Sequence, residues 1–207
     1  MARLRDVAPM GVARQYTYIN RSKMEEEIVR FTKVATPLGD MRAYCSPKGI
    51  CCLEFTSSAE RLEQFHQRLQ RYYGNPKVLP GECDAHASLQ QWLCRYFDGD
   101  SSASQTPMDM RGTVHELAVW RELQKIHPGH TISYGELARR CGQPTATRAV
   151  ATAVRRNPLS IIIPCHRVIG AHGELTGYGG GLRRKRWLLE HEKKWNQYFS
   201  APKPNLL

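Results

Sequence analysis

The stretch 99-GDSSASQTP-107 is small, polar and closed by proline. A segment of that composition has little with which to join a core, so it reads as a linker and constrains the chain to fold as two units. Upstream, the β-prone runs IVRFTKVA, MRAYC and ICCLEF lie between about Ile28 and Phe55, separated by the turn sequences 36-TPLGD-40 and 46-SPKG-49. This spacing predicts a three-stranded antiparallel sheet. Two helices should cover it. The first presents Leu62, Phe65, Leu69 and Tyr72 or Tyr73 on one face, and the second presents Leu89, Trp92, Leu93, Tyr96 and Phe97.

Downstream the signals are helical. Thr113 and Glu116 form a capping box ahead of Val114, Leu117, Trp120, Leu123 and Ile126, and 127-HPGH-130 stops that helix. A second box, Ser133 with Glu136, opens a short helix, 142-GQPT-145 turns the chain, and another helix runs from about Ala146 to Arg156 before Asn157-Pro158. Two short helices around a four-residue turn have the helix-turn-helix pattern. The expected class is α+β: an N-terminal sheet with covering helices, then a mainly α unit with a winged-helix-like helix-turn-helix. The expected boundaries are a disordered basic leader at 1–25, an α/β domain at 26–98, a linker at 99–109, a second domain at 110–194 and a tail at 195–207.

Charge separates the halves as sharply as pattern does. Residues 1–110 hold 14 Lys and Arg against 13 Asp and Glu, whereas residues 111–207 hold 16 against 6. Such a surface suits a polyanion, nucleic acid above all. The last helix sharpens this reading: 145-TATRAVATAVRRN-157 has Val150 and Val154 as an inward stripe, with Arg148, Arg155 and Arg156 as its only long side chains. Small residues let a helix approach another surface closely, and the arginines favour a phosphate backbone.

No apolar run nears the roughly 20 residues that span a bilayer, and no secretion signal opens the chain. A soluble, intracellular protein without membrane partners is expected, cytoplasmic in a prokaryote and nuclear in a eukaryote. The seven cysteines, Cys45, Cys51, Cys52, Cys83, Cys94, Cys141 and Cys165, are odd in number and contain no C-x-x-C pair. Neither a disulfide framework nor a zinc ribbon is expected from that pattern.

One cysteine stands apart. In 160-SIIIPCHRVIG-170 three isoleucines read as a buried strand, Pro164 ends it, and Cys165, His166 and Arg167 follow at the turn. A thiol becomes nucleophilic beside a base or a positive charge. Together with Tyr134 in 132-ISYGELA-138, Arg148 in 148-RAV-150, Asn157-Pro158, 177-GYGGG-181 and 187-WLLEHE-192, Pro164-Cys165-His166-Arg167-Val168 resembles the active-site motif of the O6-alkylguanine-DNA alkyltransferases. The resemblance runs from about Met110 to Glu192 and extends more loosely into the N-terminal half, chiefly through 36-TPLGD-40.

That resemblance implies direct reversal of DNA damage, in which O6-alkylguanine in duplex DNA passes its alkyl group irreversibly to Cys165; O4-alkylthymine is a second candidate substrate. His166 would withdraw the thiol proton through a water, Glu192 would orient the imidazole, and Asn157 would tie the preceding helix to the turn. Tyr134 would protonate the departing ring and rotate the 3′ phosphate. Tyr178, Gly179, Gly180, Val168 and Pro164 would form the base pocket. Arg148 would enter the stack, with Gly135, Ala146, Thr147, Ala149 and Arg155 also at the DNA. A base inside a duplex is out of reach of a thiol, so the lesion must be flipped out. The product is a thioether that neither His166 nor water can hydrolyse, so each molecule acts once. No cofactor is required, since the lesion is the alkyl donor, and no metal is expected. A monomer is expected, with cooperativity along DNA left open.

Gly179 departs from family members that carry a serine there, which leaves the substrate oxygen without a hydroxyl partner. The glycine run is expected to be a flexible pocket lip, 183-RRKR-186 a solvated basic face, and Trp187, Leu188 and Leu189 core. Two other classes fit part of the pattern: a cysteine hydrolase, which would turn over repeatedly, and a non-catalytic lesion-binding or regulatory helix-turn-helix module.

Overall fold

The computed structural model describes residues 27–200. The leader expected at 1–25, and the part of the expected tail after residue 200, lie outside the described residues. Strands β1 (Ile28–Val34), β2 (Met41–Ser46) and β3 (Gly49–Phe55) pair antiparallel in sequence order, as expected. A fourth strand, β4 (Lys77–Pro80), adds parallel to the free edge of β1, so the sheet is mixed, with order β3-β2-β1-β4, and not three-stranded. β4 escaped the sequence reading because it is four residues long, has no buried position and ends in proline, which an edge strand tolerates.

Helix α1 (Ala59–Tyr73) ends at Gly74 in the left-handed conformation and buries Phe65, Leu69 and Tyr73; α2 (Asp84–Phe97) buries Leu89, Trp92, Leu93 and Tyr96. Cys83, the N-cap of α2, is disulfide-bonded to Cys45 of β2. The cysteine pattern gave no expectation of a disulfide, so this one corrects that reading. The two are 38 positions apart and meet only because α2 folds across the sheet.

The linker is not free. Ile50 donates its N–H to the Pro107 carbonyl and accepts from Asp109 N–H, so residues 107–109 run along β3. Helix α3 (Val114–Gln124) opens with the full Thr113–Glu116 capping box. Helix α4 (Tyr134–Arg140) uses Ser133 as its cap, but the Glu136 carboxylate turns to Arg139 and Arg140 and does not close the box. Helix α5 (Thr147–Arg155) turns Val150, Ala153 and Val154 inward, and Trp120 of α3 donates to the Ala153 carbonyl at 2.9 Å. Strands β5 (Ile132–Ser133) and β6 (Val168–Ile169) pair in parallel, and α6 (Leu182–Ser200) closes the fold. One apolar core links β2 and β3 to α2, α3, α4, α5 and α6.

Candidate active site

Residues 159–163 are buried, but they form a turn and not the expected strand. Only Leu159 bridges to the sheet, at Leu53; Ile162 N–H then bonds back to Ser160, Ile163 N–H to Leu159, and Cys165 N–H to Ile163 at 2.7 Å. Ile161 sits at φ +72°, a conformation that a β-branched residue adopts only under constraint from its surroundings. Asn157, fully buried, supplies that constraint: its amide donates to the Ile163 carbonyl at 2.9 Å, and its carbonyl oxygen accepts from Leu159 N–H at 2.9 Å. Pro164 then leads into a single 3-10 turn, Cys165–Arg167.

His166 is inaccessible, and its Nε2–H faces Glu192 Oε1 at 2.8 Å. Arg167 grips the same carboxylate with Nε and Nη2, both at 2.9 Å, and Gly129 N–H donates to it at 3.1 Å. The Tyr96 hydroxyl of α2 adds a bond of 2.7 Å. Burial would raise the Glu192 pKa, but His166 and Arg167 outweigh it and hold the group well below the carboxylate range. Burial lowers His166, against the pull of Glu192, which favours the neutral ring with its proton on Nε2. Nδ1 is then the lone-pair nitrogen, buried and unbonded among the described residues. Burial also raises the Cys165 thiol, with Asn157 and Arg61 opposing the rise. The resting sulfur is therefore a thiol that needs a base.

The β5–β6 pairing sets Ser133 opposite Ile169 and so brings Tyr134, at the start of α4, to the far side of the site. Its hydroxyl donates to the Thr176 carbonyl at 3.4 Å, and a Cβ on Gly177 would lie 2.5 Å from it. Tyr178, Gly180, Val168 and Pro164 are all buried, Gly180 lies against Tyr178 and Phe55, and the Tyr178 hydroxyl has no partner among the described residues. Gly179 packs against the Arg61 side chain, so this part of the lip lies against the N-terminal half. Lys185 departs from the solvated face expected for 183–186: it is fully buried and donates to the Val168 and Thr176 carbonyls, both at 2.5 Å, and burial lowers its pKa to about 8. Trp187, expected in the core, is 36% exposed and stacks on His191. On α5, Arg148, Ala149 and Arg155 face solvent, with Thr147 and the N-cap Ala146 half-buried; Gly135 is half-buried on α4. Among the described residues no three His, Cys, Asp or Glu side chains are grouped to hold a metal ion. Sequence reasoning missed Arg61, Tyr96, Gly129 and Arg167, all of which reach the site from elements or loops remote in the chain or were read only as local charge.

The sequence matches the family model "6-O-methylguanine DNA methyltransferase, DNA binding domain" over residues 115–194. The "Methylated-DNA--protein-cysteine methyltransferase" of Shigella flexneri is 40% identical over 165 residues, which are 77% of this chain and 93% of that protein. The chain belongs to this family. The activity that goes with membership is transfer of a methyl group from DNA to a protein cysteine. The crystal structure of the Mycobacterium tuberculosis O6-methylguanine methyltransferase superposes with TM-score 0.68 at 36% identity, covering 84% of this chain and 96% of that one. A structure of the M. tuberculosis protein OGT in complex with DNA gives TM-score 0.67 at 36% identity, over 81% and 94% of the two chains.

Proposed function

We propose that Cys165 is the acceptor in this family's reaction, taking one methyl group from O6-methylguanine in duplex DNA and acting once. The observation that carries the reading is the buried chain Glu192–His166 ending next to Cys165: an ionised carboxylate fixes the imidazole tautomer and leaves Nδ1 as the base. The thiol proton passes to His166 through a water. The sulfur–carbon bond forms as the O6–carbon bond breaks, and Tyr134 supplies a proton to the departing ring and recovers one from the bulk. Asn157 fixes the turn that aims the sulfur. In this reading the extruded base is received among Val168, Pro164, Gly180 and Tyr178, whose hydroxyl is unbonded among the described residues.

The partner is double-stranded DNA, held by the exposed arginines of α5, with Arg148 filling the gap left by the flipped base and Ala149 and Thr147 allowing close approach in the minor groove. The protein works as a monomer and needs no cofactor. No described helix is long and apolar enough to cross a membrane, which suits a protein that works on DNA in the cytoplasm or nucleus. Incubation with a duplex carrying one O6-methylguanine should add one methyl group to the Cys165 peptide. An unmodified protein by intact mass, or many lesions repaired per molecule, would sink the reading; the second result would favour a hydrolase.

A further inference from the structure

The geometry points to Arg61, on α1 of the N-terminal half, as a positioning residue for the acceptor turn, working with Glu54 of β3 as a clamp across the two halves of the chain. The inference rests on the reading that Cys165 accepts the methyl group. All three nitrogens of the Arg61 guanidinium donate hydrogen bonds. Nε bonds Glu54 Oε2 at 2.5 Å, Nη1 the Arg155 carbonyl at 2.5 Å, and Nη2 the Asn157 carbonyl at 2.5 Å. Both carbonyls lie at the C-terminal end of α5, where helical carbonyls lack intrahelical donors and the helix dipole favours a cation.

Glu54 grips the other side of the same segment. It is 1% exposed, and its Oε1 accepts from Ser160 Oγ at 3.1 Å. Backbone bonds from Leu53 N–H to the Pro158 carbonyl and from Ser160 N–H to the Leu53 carbonyl complete the attachment. Every one of these contacts falls between the last residue of the helix proposed to bind DNA and Cys165. This pair also differs from a surface ion pair, which contributes little: its side chains are 12% and 2% exposed.

A separate observation places Arg61 at the base pocket. A Cβ on Gly179 would lie 2.5 Å from Cδ, Nε and Cζ of Arg61. A flexible arginine would swing away, but this one is pinned by three partners. Arg61 therefore occupies the space that a side chain at 179 would need, which accounts for glycine at that position. Its cation also opposes the burial that raises the Cys165 thiol.

The test is single-turnover methyl transfer from a duplex with one O6-methylguanine, with protein in excess, followed across pH. Arg61→Met is made together with Glu54→Gln, so that no buried carboxylate loses its partner, and Arg61→Lys is the conservative variant. The double variant should transfer on the order of 10²-fold more slowly, since misplacement of a reacting group by about 1 Å has that effect. Binding of undamaged duplex should stay within about twofold. The rise of transfer rate with pH should move to higher pH, and Arg61→Lys should fall between the two.

Gly179→Ala should slow the native chain but add little in the Arg61→Met, Glu54→Gln background. Transfer at the native rate and pH dependence, or a Gly179→Ala loss of equal size in both backgrounds, would overturn the inference. So would a loss that follows thermal stability alone with an unshifted pH profile, because the pair would then be only a brace. If native Cys165 accepts no methyl group, the function beneath the inference fails and the inference with it; native transfer with unaffected variants removes the inference alone.

Discussion

Glu192 has no solvent contact and accepts hydrogen bonds from five donors, on Tyr96, Gly129, His166 and twice on Arg167. That number is what allows a charge to stay buried. The consequence for pH follows from the signs. Both His166 and Glu192 have folded-state pKa values below their unfolded ones, so each contributes stability that is complete above the unfolded value and is lost as pH falls. The free energy of unfolding should therefore begin to fall below about pH 6.5 and fall again below about 4.3. Urea titrations at a series of pH values would check this, and a flat profile between pH 7 and 5 would contradict the His166 part. Glu192→Gln should make the lower limb shallower, leaving the part due to Glu116, and cost about 3–5 kcal/mol at neutral pH, since it leaves Arg167 buried without its anion. Cys165, His166 and Glu192 could be picked out in the sequence through local motifs. Tyr96 and Arg61 could not, because each meets its partner, Glu192 or Asn157, across 96 positions of chain. The turn at Ile161 was hidden for a different reason: three isoleucines have strand propensity, and only the buried Asn157 bonds override it.

The helical elements were the more readable ones, since a helix announces itself by its own spacing and caps. Thr113 with Glu116, the Gly-containing turn at 142–145 and the valine stripe of α5 all act within a few residues. β4 has no such internal signal, and the β5–β6 pair consists of two residues on each side. Yet that short pairing sets the distance between Tyr134 and the turn bearing Cys165. Helix α5 divides its labour by face: Val150, Ala153 and Val154 fix it to the core, while Arg148 projects into solvent. Arg148→Ala should therefore leave stability within about 0.5 kcal/mol. Transfer from duplex should fall tenfold or more, because extrusion of a base costs a few kcal/mol and about 1.4 kcal/mol is a factor of ten. Reaction with a free O6-alkylguanine base should be unchanged. Equal losses on both substrates would remove Arg148 from extrusion and assign it to chemistry or to general binding.

At the scale of the whole molecule the two halves are joined more closely than the polar linker suggests. Residues 107–109 pair alongside β3, Leu53 bridges Leu159, and α2 supplies Tyr96 to Glu192, so the N-terminal half acts as the frame on which the acceptor turn is set. Away from the Arg61–Glu54 contact, a change that loosens the frame should reach the site only by unfolding it, and the Cys45–Cys83 disulfide offers a way to test this. It closes a loop of 38 residues between β2 and the N-cap of α2, and neither cysteine touches Cys165, His166 or Glu192 through the hydrogen bonds that build the site. Restricting the unfolded chain by a loop of that length is worth about 2–4 kcal/mol. A reductant should therefore lower the urea midpoint by a corresponding amount, while the rate of methyl transfer by the protein that remains folded stays the same. A Cys83→Ser variant should start at the lower midpoint and be indifferent to reductant. If the shift persists in that variant, the sensitivity belongs to another thiol. If transfer slows in native buffer while the midpoint holds, the disulfide acts on the site itself and the frame is not rigid.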